Sequence, residues 1–201
     1  MPDWIYLSSQ SPRRQSLLNQ IGQKFRLLEP DFGEDVESLE TFRAGETPQQ
    51  YVQRVTQLKL DAALGRLKRR GLTVAPILCA DTTVALGHEI FGKPKDRQHA
   101  RQILHALGGQ SHLVLTAVSV GTAHVQRHAL SVSRVQFGPW TDAGLETYLD
   151  HGEWAGKAGA YAIQGLAAAH IAHIDGSYSG IMGLPLYETA QLLREPWGDE
   201  A

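Results

Sequence analysis

The nine residues TVAPILCAD, at positions 73–81, restrict the possible folds more than any other stretch of the chain. Apolar residues follow one another there without the alternation of a half-exposed strand, which predicts a short strand buried on both faces. Strand-like and helix-like patterns alternate before and after it, and no linker interrupts them. A chain of 201 residues can form one large domain or two small lobes. We predict a mixed α/β protein with a single domain spanning residues 1–201.

Capping residues and glycines mark the helix boundaries. The clearest helix begins after Thr47, with Pro48 in its first position and Gln50 completing a capping box, and it ends at Gly71. The same signals predict four shorter helices: one after Ser11 that starts with Pro12 and ends at Gly22, one from Arg97 to Leu107 after Asp96, one between Thr141 and Gly152, and one after Pro185.

The remaining periodic segments are predicted to be strands. These are residues 5–7, residues 24–30, a hairpin around Gly87 in residues 82–94, and two antiparallel strands within residues 111–137. The buried strand is predicted to end at Asp81. Residues 31–46 are acidic and polar and are predicted to form a loop, and residues 152–170 have no clear period.

Composition excludes several classes of partner. A formal net charge of −2 gives no general attraction to nucleic acid or anionic membranes. The only dense basic run, residues 66–70, falls at a helix C-terminus, where the helix dipole favours cations. No apolar run approaches the roughly 18 residues of a membrane span, and the N-terminus has no charged-then-apolar signal pattern. With Cys79 as the single cysteine, we expect a cytoplasmic protein with no membrane or nucleic-acid partner.

The first predicted helix begins with two arginines, although the positive end of the helix dipole disfavours cations by about 0.3–1 kcal/mol each. An anion bound there would reverse that preference for Arg13 and Arg14. Free backbone amides and the hydroxyls of Ser9 and Ser11 would add donors, and arginine matches phosphate oxygens with paired hydrogen bonds. The alternative is a solvated helix start whose arginines pair with nearby acids.

Three further charged residues stand in unusual places. Lys59 lies on the apolar stripe of the long helix, where it either extends along its own methylene stem to solvent or reaches into a polar pocket. Asp81 closes the predicted buried strand, where a carboxylate can accept a proton, orient a water or bind a metal; the alternative is a turn cap. Lys93 follows the hairpin as a candidate cation or as an exposed turn lysine.

Six motifs then resemble the successive signatures of the Maf family of nucleoside triphosphate pyrophosphatases, once described as septum formation inhibitors. In chain order they are LSSQSPRR, CADTTV, GKPKD, LGGQSHLVLTAV, GKAGAYAIQG and IDGSYSGIMGLPL, and the resemblance runs from about Ile5 to Leu193. It implies a mixed twisted sheet in two lobes around a nucleotide-binding cleft, similar to the inosine triphosphate pyrophosphatases. It also implies a homodimer and a divalent metal, Mg²⁺ or Mn²⁺.

The resemblance also implies a role for individual residues. Asp81 corresponds to the general base, which takes a proton from the water that attacks the α-phosphorus. Glu34 corresponds to a carboxylate near the metal and phosphates, with Asp81 as a second metal-binding carboxylate. The residues that correspond to phosphate-binding positions are Ser9, Arg13, Arg14, Lys59 and Lys93.

The resemblance extends to one branch of the family. Thr82 directly follows Asp81, so the motif reads ADT, which resembles the branch that acts on dTTP and UTP. The branch that acts on 7-methyl-GTP has a sequence like SDQ at these three positions. Gln164 agrees, since an amide can pair with the donor and acceptor edge of uracil or thymine. Arg13, Thr82 and Gln164 are therefore the expected specificity positions. Modified pyrimidine nucleotides are further candidate substrates. Hydrolysis of 7-methyl-GTP or inosine triphosphate, and a non-catalytic nucleotide-binding regulator of cell division, remain alternatives.

Overall fold

The computed structural model describes residues 3–194 and residue 197. Residues 1–2, 195–196 and 198–201 of the predicted domain lie outside this part. The helices are α1 (Pro12–Gln20), α2 (Pro48–Arg69), α3 (Arg97–Leu107), α4 (Asp142–Asp150), α5 (Tyr178–Met182) and α6 (Leu186–Arg194). The strands are β1 (Ile5–Leu7), β2 (Phe25–Leu27), β3 (Ile77–Leu86), β4 (Glu89–Phe91), β5 (Ser111–Gly121), β6 (Gln126–Phe137) and β7 (Ile171–Asp175). Short 3₁₀ helices span Glu37–Glu40, Ala158–Ala160 and Leu166–His170.

The strands of the described residues form one mixed sheet. Its order is β2-β1-β3-β5-β6-β7, with β4 paired to β3 off this path. β1 runs parallel to β2 and β3, and the other pairs are antiparallel. The predicted mixed α/β class is confirmed, as are the hairpin around Gly87 and the two long antiparallel strands.

Side chains of β3 pack on both faces of the sheet. Cys79 contacts the apolar cluster that α2 completes with Leu60, whereas Leu78 belongs to a cluster with Leu17 of α1. A separate cluster joins α3 and α4 to the far end of the sheet. The prediction of a strand buried on both faces is confirmed for residues 77–81, whereas residues 73–76 precede the strand and Val74 is exposed. The core is divided between two parts of the molecule.

Capping side chains fix the helix starts as the sequence predicts. Thr47 and Gln50 bond reciprocally, through the Gln50 amide to Thr47 Oγ1 (3.3 Å) and the Thr47 amide to Gln50 Oε1 (2.9 Å). Asp96 and Thr141 accept hydrogen bonds from amides at the starts of α3 and α4. Ser11 occupies the N-cap position of α1 but makes no capping hydrogen bond with its side chain. The first amides of α1 therefore lack a side-chain cap.

β3 continues past Asp81 to Leu86, so the predicted strand end at Asp81 is wrong. Polar side chains are tolerated in the middle of this strand because they have hydrogen-bond partners on other elements. β5 pairs with β3 along one side. On the other side β1 reaches only Leu78 and β4 begins only at Val84. Residues 79–83 therefore face a gap between two strands.

Candidate active site

A cavity of about 710 Å³ opens at this gap in the sheet. Its walls come from the loop after β1, the start of α1, the 3₁₀ helix Glu37–Glu40, α2, β3 and residues 153–164. The volume lies within the range of about 300–1,000 Å³ that is typical of small-molecule sites. All predicted site residues except Glu34 line it: Ser9, Arg13, Arg14, Lys59, Asp81, Thr82, Lys93 and Gln164.

The guanidinium of Arg14 is buried and has a neutral acceptor for each nitrogen. Nε donates to the carbonyl of Gly183 (2.7 Å), Nη1 to Ser9 Oγ (3.2 Å) and Nη2 to Thr82 Oγ1 (3.3 Å). Burial lowers the pKa of Arg14, and the nearby charge of Asp81 opposes that shift. Arg14 therefore joins α1, β3 and the turn before α6 while keeping its positive charge at the cavity.

Arg13 is placed differently, although it is the adjacent residue. Its Nε is buried and has no hydrogen-bond partner among the described residues. Burial lowers the pKa of its guanidinium, and the charge of Glu153 across the cavity opposes that shift. An arginine that lines a cavity with an unpaired donor suits an external anion.

Lys59 extends from α2 to bridge two carboxylates at the base of the cavity. Its Nζ lies 2.6 Å from Asp81 Oδ1 and 2.7 Å from Glu40 Oε1. Burial favours the neutral amine, but Asp81 and Glu40 outweigh it and raise the pKa of Lys59. Lys93 Nζ approaches the other oxygen of Glu40 at 3.6 Å. Although burial opposes it, Lys59 and Lys93 lower the pKa of Glu40, which keeps that carboxylate ionised.

Glu34 lies away from these groups. Arg66 holds it bidentately, with Nε at 3.0 Å from Oε2 and Nη2 at 2.7 Å from Oε1. The same guanidinium donates to the carbonyl of Leu28 (2.9 Å) and to Ser8 Oγ (3.2 Å). Arg66 is only 1% exposed, so the arginine that begins the basic run is part of the core rather than of a solvated helix end. This arrangement ties the acidic segment after β2 to α2.

The Thr82 hydroxyl belongs to a chain of hydrogen bonds with one direction. Thr116 Oγ1 donates to the carbonyl of Gly180 (2.7 Å) and lies 3.0 Å from Thr82 Oγ1. Because the Thr116 proton is used in that way, Thr82 donates to Thr116 and accepts from Arg14. Thr82 thus contacts Arg14 rather than presenting a free hydroxyl.

The opposite wall carries Gln164, whose exposed side chain lines the cavity. Tyr161 lies beside it and is held by a 2.8 Å hydrogen bond between its hydroxyl and His112 Nε2. Lys157 also lines this wall, and burial together with the charge of Arg13 lowers its pKa. The cavity therefore has a cationic end near α1 and a hydrogen-bonding wall across from it.

The donor set suits a metal that the substrate helps to hold. Within residues 3–194 and 197, no three histidine, cysteine or acidic side chains come together as a complete metal site. Asp81 and Glu40 nevertheless converge on one ammonium. Mg²⁺ commonly binds through one or two carboxylates and the phosphates of its substrate, so these residues fit such an ion.

No helix of the described chain has the length and apolarity to cross a membrane.

Sequence reasoning missed three residues that shape the site. Glu40 lies in a segment predicted only as an acidic loop, Arg66 lies in the basic run predicted at a helix C-terminus, and Thr116 carries no signal of its own. Only Arg66 could have been noticed, because it lies seven residues after Lys59 on the same face of α2.

Comparisons with known proteins identify the family of this chain. Residues 4–196 match the family described as Maf-like protein. A protein of Albidiferax ferrireducens named dTTP/UTP pyrophosphatase is 58% identical over 194 residues, 96% of this chain and 97% of its own. A protein of Cupriavidus metallidurans with the same name is 58% identical, over 97% of this chain and 98% of its own. The Staphylococcus aureus Ham1 structure aligns with TM-score 0.42 and 13% identity, over 66% of this chain and 71% of its own, too weakly to support an argument. The resemblance seen in the motifs is confirmed: the chain belongs to the Maf family.

Proposed function

We propose that this protein hydrolyses dTTP and UTP between the α- and β-phosphorus atoms, giving the nucleoside monophosphate and pyrophosphate. The observation that carries the reaction class is one cavity beside β3 that is lined by Asp81, which Lys59 contacts, and by the cations Arg13, Arg14, Lys59 and Lys93. The base preference is supported by the name shared by the full-length relatives.

In this proposal the cations bind and orient the triphosphate. Arg13 offers an unpaired donor, and Ser9 and the uncapped amides of α1 add neutral donors at the positive end of a helix. Arg14 contributes its charge from a fixed position behind them. These groups would stabilise the negative charge that grows on the departing pyrophosphate.

Asp81 acts as the base. Lys59 bonds its Oδ1, whereas no described residue donates to its Oδ2. Oδ2 would accept a proton as a water oxygen forms a bond to the α-phosphorus and the bond to the bridging oxygen breaks. The contact with the ammonium of Lys59 fixes the orientation of this carboxylate.

Asp81 and Glu40 would hold a divalent metal, Mg²⁺ or Mn²⁺, together with phosphate oxygens. Such an ion, when bound, neutralises phosphate charge and makes a bound water more acidic. Glu34 stays a predicted metal ligand, with both of its oxygens bonded to Arg66, and we add Glu40 as a candidate because it lines the cavity with Asp81.

Base selection would rest on Gln164 and on Thr82. The Gln164 amide can donate to a carbonyl of uracil or thymine and accept from the ring N–H, which cytosine does not offer. Thr82 would act indirectly, by fixing Arg14. The low cysteine content fits a reducing compartment, so we propose that the protein is cytoplasmic. We also propose that it is a homodimer, which light scattering can test.

The test is pyrophosphate release with Mg²⁺ or Mn²⁺ from dTTP, UTP, CTP, 7-methyl-GTP, inosine triphosphate and dATP. We expect Asp81→Asn to lower kcat by about 10²–10⁴-fold, the usual contribution of a general base, while nucleotide binding persists. Asp61→Asn is the matched control, because Asp61 is exposed on the same helix as Lys59. Turnover of only 7-methyl-GTP or inosine triphosphate would overturn the base preference. Binding without any turnover would favour the regulator.

A further inference from the structure

Glu153, in the turn after α4, bonds the chain segment that carries Gln164. Its Oε2 accepts from the amide of Leu166 (2.9 Å) and its Oε1 accepts from the amide of Ala167 (3.5 Å). The hydroxyl of Tyr148 also donates to Oε1 (3.2 Å). These amides begin the 3₁₀ helix Leu166–His170, whose own N-cap residue, Gly165, has no side chain to satisfy them.

Gly165, the residue before Leu166, leaves space for the Glu153 carboxylate because it has no side chain. A Cβ atom built on Gly165 would lie 2.0 Å from Glu153 Oε2 and 2.5 Å from Oε1. Only glycine lets the carboxylate approach the backbone this closely. The contact therefore depends on both residues: Glu153 supplies the carboxylate, and Gly165 has no side chain that would block it.

Gln164 immediately precedes that glycine. Its side chain is exposed at the cavity wall, and no other described residue forms a hydrogen bond with its amide. The orientation of the Gln164 side chain is thus set by the backbone of residues 164–167. Glu153 is the side chain that bonds that backbone from outside.

We propose that Glu153 is a positioning residue for base recognition, which holds the turn at Gly165 so that Gln164 faces the nucleobase. This inference rests on the proposed function, because it assumes that Gln164 reads the base. Glu153 also lines the cavity itself. Its charge influences Arg13 and Lys157, so it links the base-facing wall electrostatically to the cationic end.

The test compares Glu153→Gln and Gly165→Ala with the wild-type protein. Glutamine keeps the size of the side chain but replaces one acceptor oxygen by a donor, and alanine places a methyl group where the carboxylate lies. Glu146→Gln is the matched control, because this α4 carboxylate pairs with Arg97 and Arg101 outside the cavity. kcat and KM are measured for dTTP and dCTP, together with the melting temperature.

We expect Glu153→Gln and Gly165→Ala each to raise KM for dTTP and to reduce the preference for dTTP over dCTP by about tenfold, as displacement of a positioning group does. In Gly165→Ala, which keeps the charge of Glu153, the kcat for dTTP should stay within about twofold. The control should match wild type. An unchanged preference in both variants, with or without a lower melting temperature, would overturn the proposal.

Failure of the proposed function is distinguished by binding. Calorimetry with α,β-imido-dUTP and α,β-imido-dCTP measures base preference without hydrolysis. Loss of preference in the variants supports the role of Glu153 even if the wild-type protein has no turnover, whereas equal preference in wild type and variants refutes it even if turnover is normal.

Discussion

Replacing Lys59 by methionine tests the bridge between the two carboxylates. The substitution keeps an unbranched side chain on the apolar stripe of α2 but removes the ammonium that contacts Asp81 and Glu40. The three side chains are only 15%, 11% and 28% exposed for Lys59, Asp81 and Glu40, so solvent does little to replace the lost charge. We expect Lys59→Met to lower the free energy of unfolding by about 3 kcal/mol at pH 7.5.

The magnitude follows from the two short contacts. At 2.6 and 2.7 Å, each pair attracts by about 6 kcal/mol at an effective dielectric constant of about 20. Desolvation offsets much of that attraction, and removal of one partner from a buried pair typically costs about 3–5 kcal/mol. In the variant, Lys93 still lies 3.6 Å from Glu40 and balances part of its negative charge. We therefore expect a cost near the lower limit of this range.

The sign of the pH dependence follows from the same geometry. In the variant the pKa of Glu40 rises, because the Lys59 ammonium that lowers it is gone and the Asp81 carboxylate lies nearby. A carboxyl whose pKa is raised in the folded state stabilises the fold at low pH and loses that contribution as the pH rises. In the wild-type protein the lowered pKa of Glu40 has the opposite effect. The stability deficit should therefore shrink from pH 7.5 to pH 5.

Urea unfolding followed by tryptophan fluorescence measures both effects. The double variant Lys59→Met/Asp81→Asn is the control, because it removes one of the two unpaired charges and should recover more than half of the lost stability. If Lys59→Met changes the free energy of unfolding by less than about 1 kcal/mol, and equally at both pH values, the buried charge triad does not stabilise the fold as argued.

Two further predictions concern the surroundings of the cavity. Hydrogen bonds to Arg66 lower the pKa of Glu34, although burial opposes that shift. The ionised Glu34 carboxylate should therefore stabilise the fold above its ordinary pKa of 4.5. This stabilisation should fade as the pH falls through the lower pKa of the folded state. Glu34→Gln should thus cost about 1–3 kcal/mol at pH 7, with a gap that closes towards pH 3 in urea titrations. Gly159 has φ = +69°, and a Cβ there would lie 2.8 Å from Val84 Cγ2. Gly159→Ala should cost about 1–3 kcal/mol in the same assay, and unchanged stability would contradict this steric argument.

Local signals predicted α2, α3 and α4 well because their determinants lie within one turn, whereas α5 was not predicted. Thr47 and Gln50 are three residues apart, and each satisfies a backbone amide that the other exposes. Asp96 and Thr141 act in the same way at their own helices. Short-range chemistry of this kind is fully visible in a sequence.

The extent of β3 was not predictable in that way. Asp81 is followed by two threonines, and such a polar run usually marks the end of a buried strand. The strand continues because Lys59, 22 residues away, and Thr116, 34 residues from Thr82, supply the missing partners. Arg66 follows the same rule, since its acidic partner Glu34 lies 32 residues earlier. Contacts at such separations depend on the fold and have no local signature.

Arg13 and Arg14, at the start of α1, have different contacts because of helix geometry. Consecutive helical residues point about 100° apart, because a turn contains about 3.6 residues. Arg14 therefore enters the framework and bonds Gly183, Ser9 and Thr82, while Arg13 lines the cavity with an unpaired Nε. Among the described residues no carboxylate forms an ion pair with either arginine, and both have a lowered pKa through burial. Two partly buried cations at the positive end of a helix are unfavourable, and the charges of Asp81 and Glu153 offset that cost only in part. We infer that a bound polyphosphate would supply the remaining negative charge.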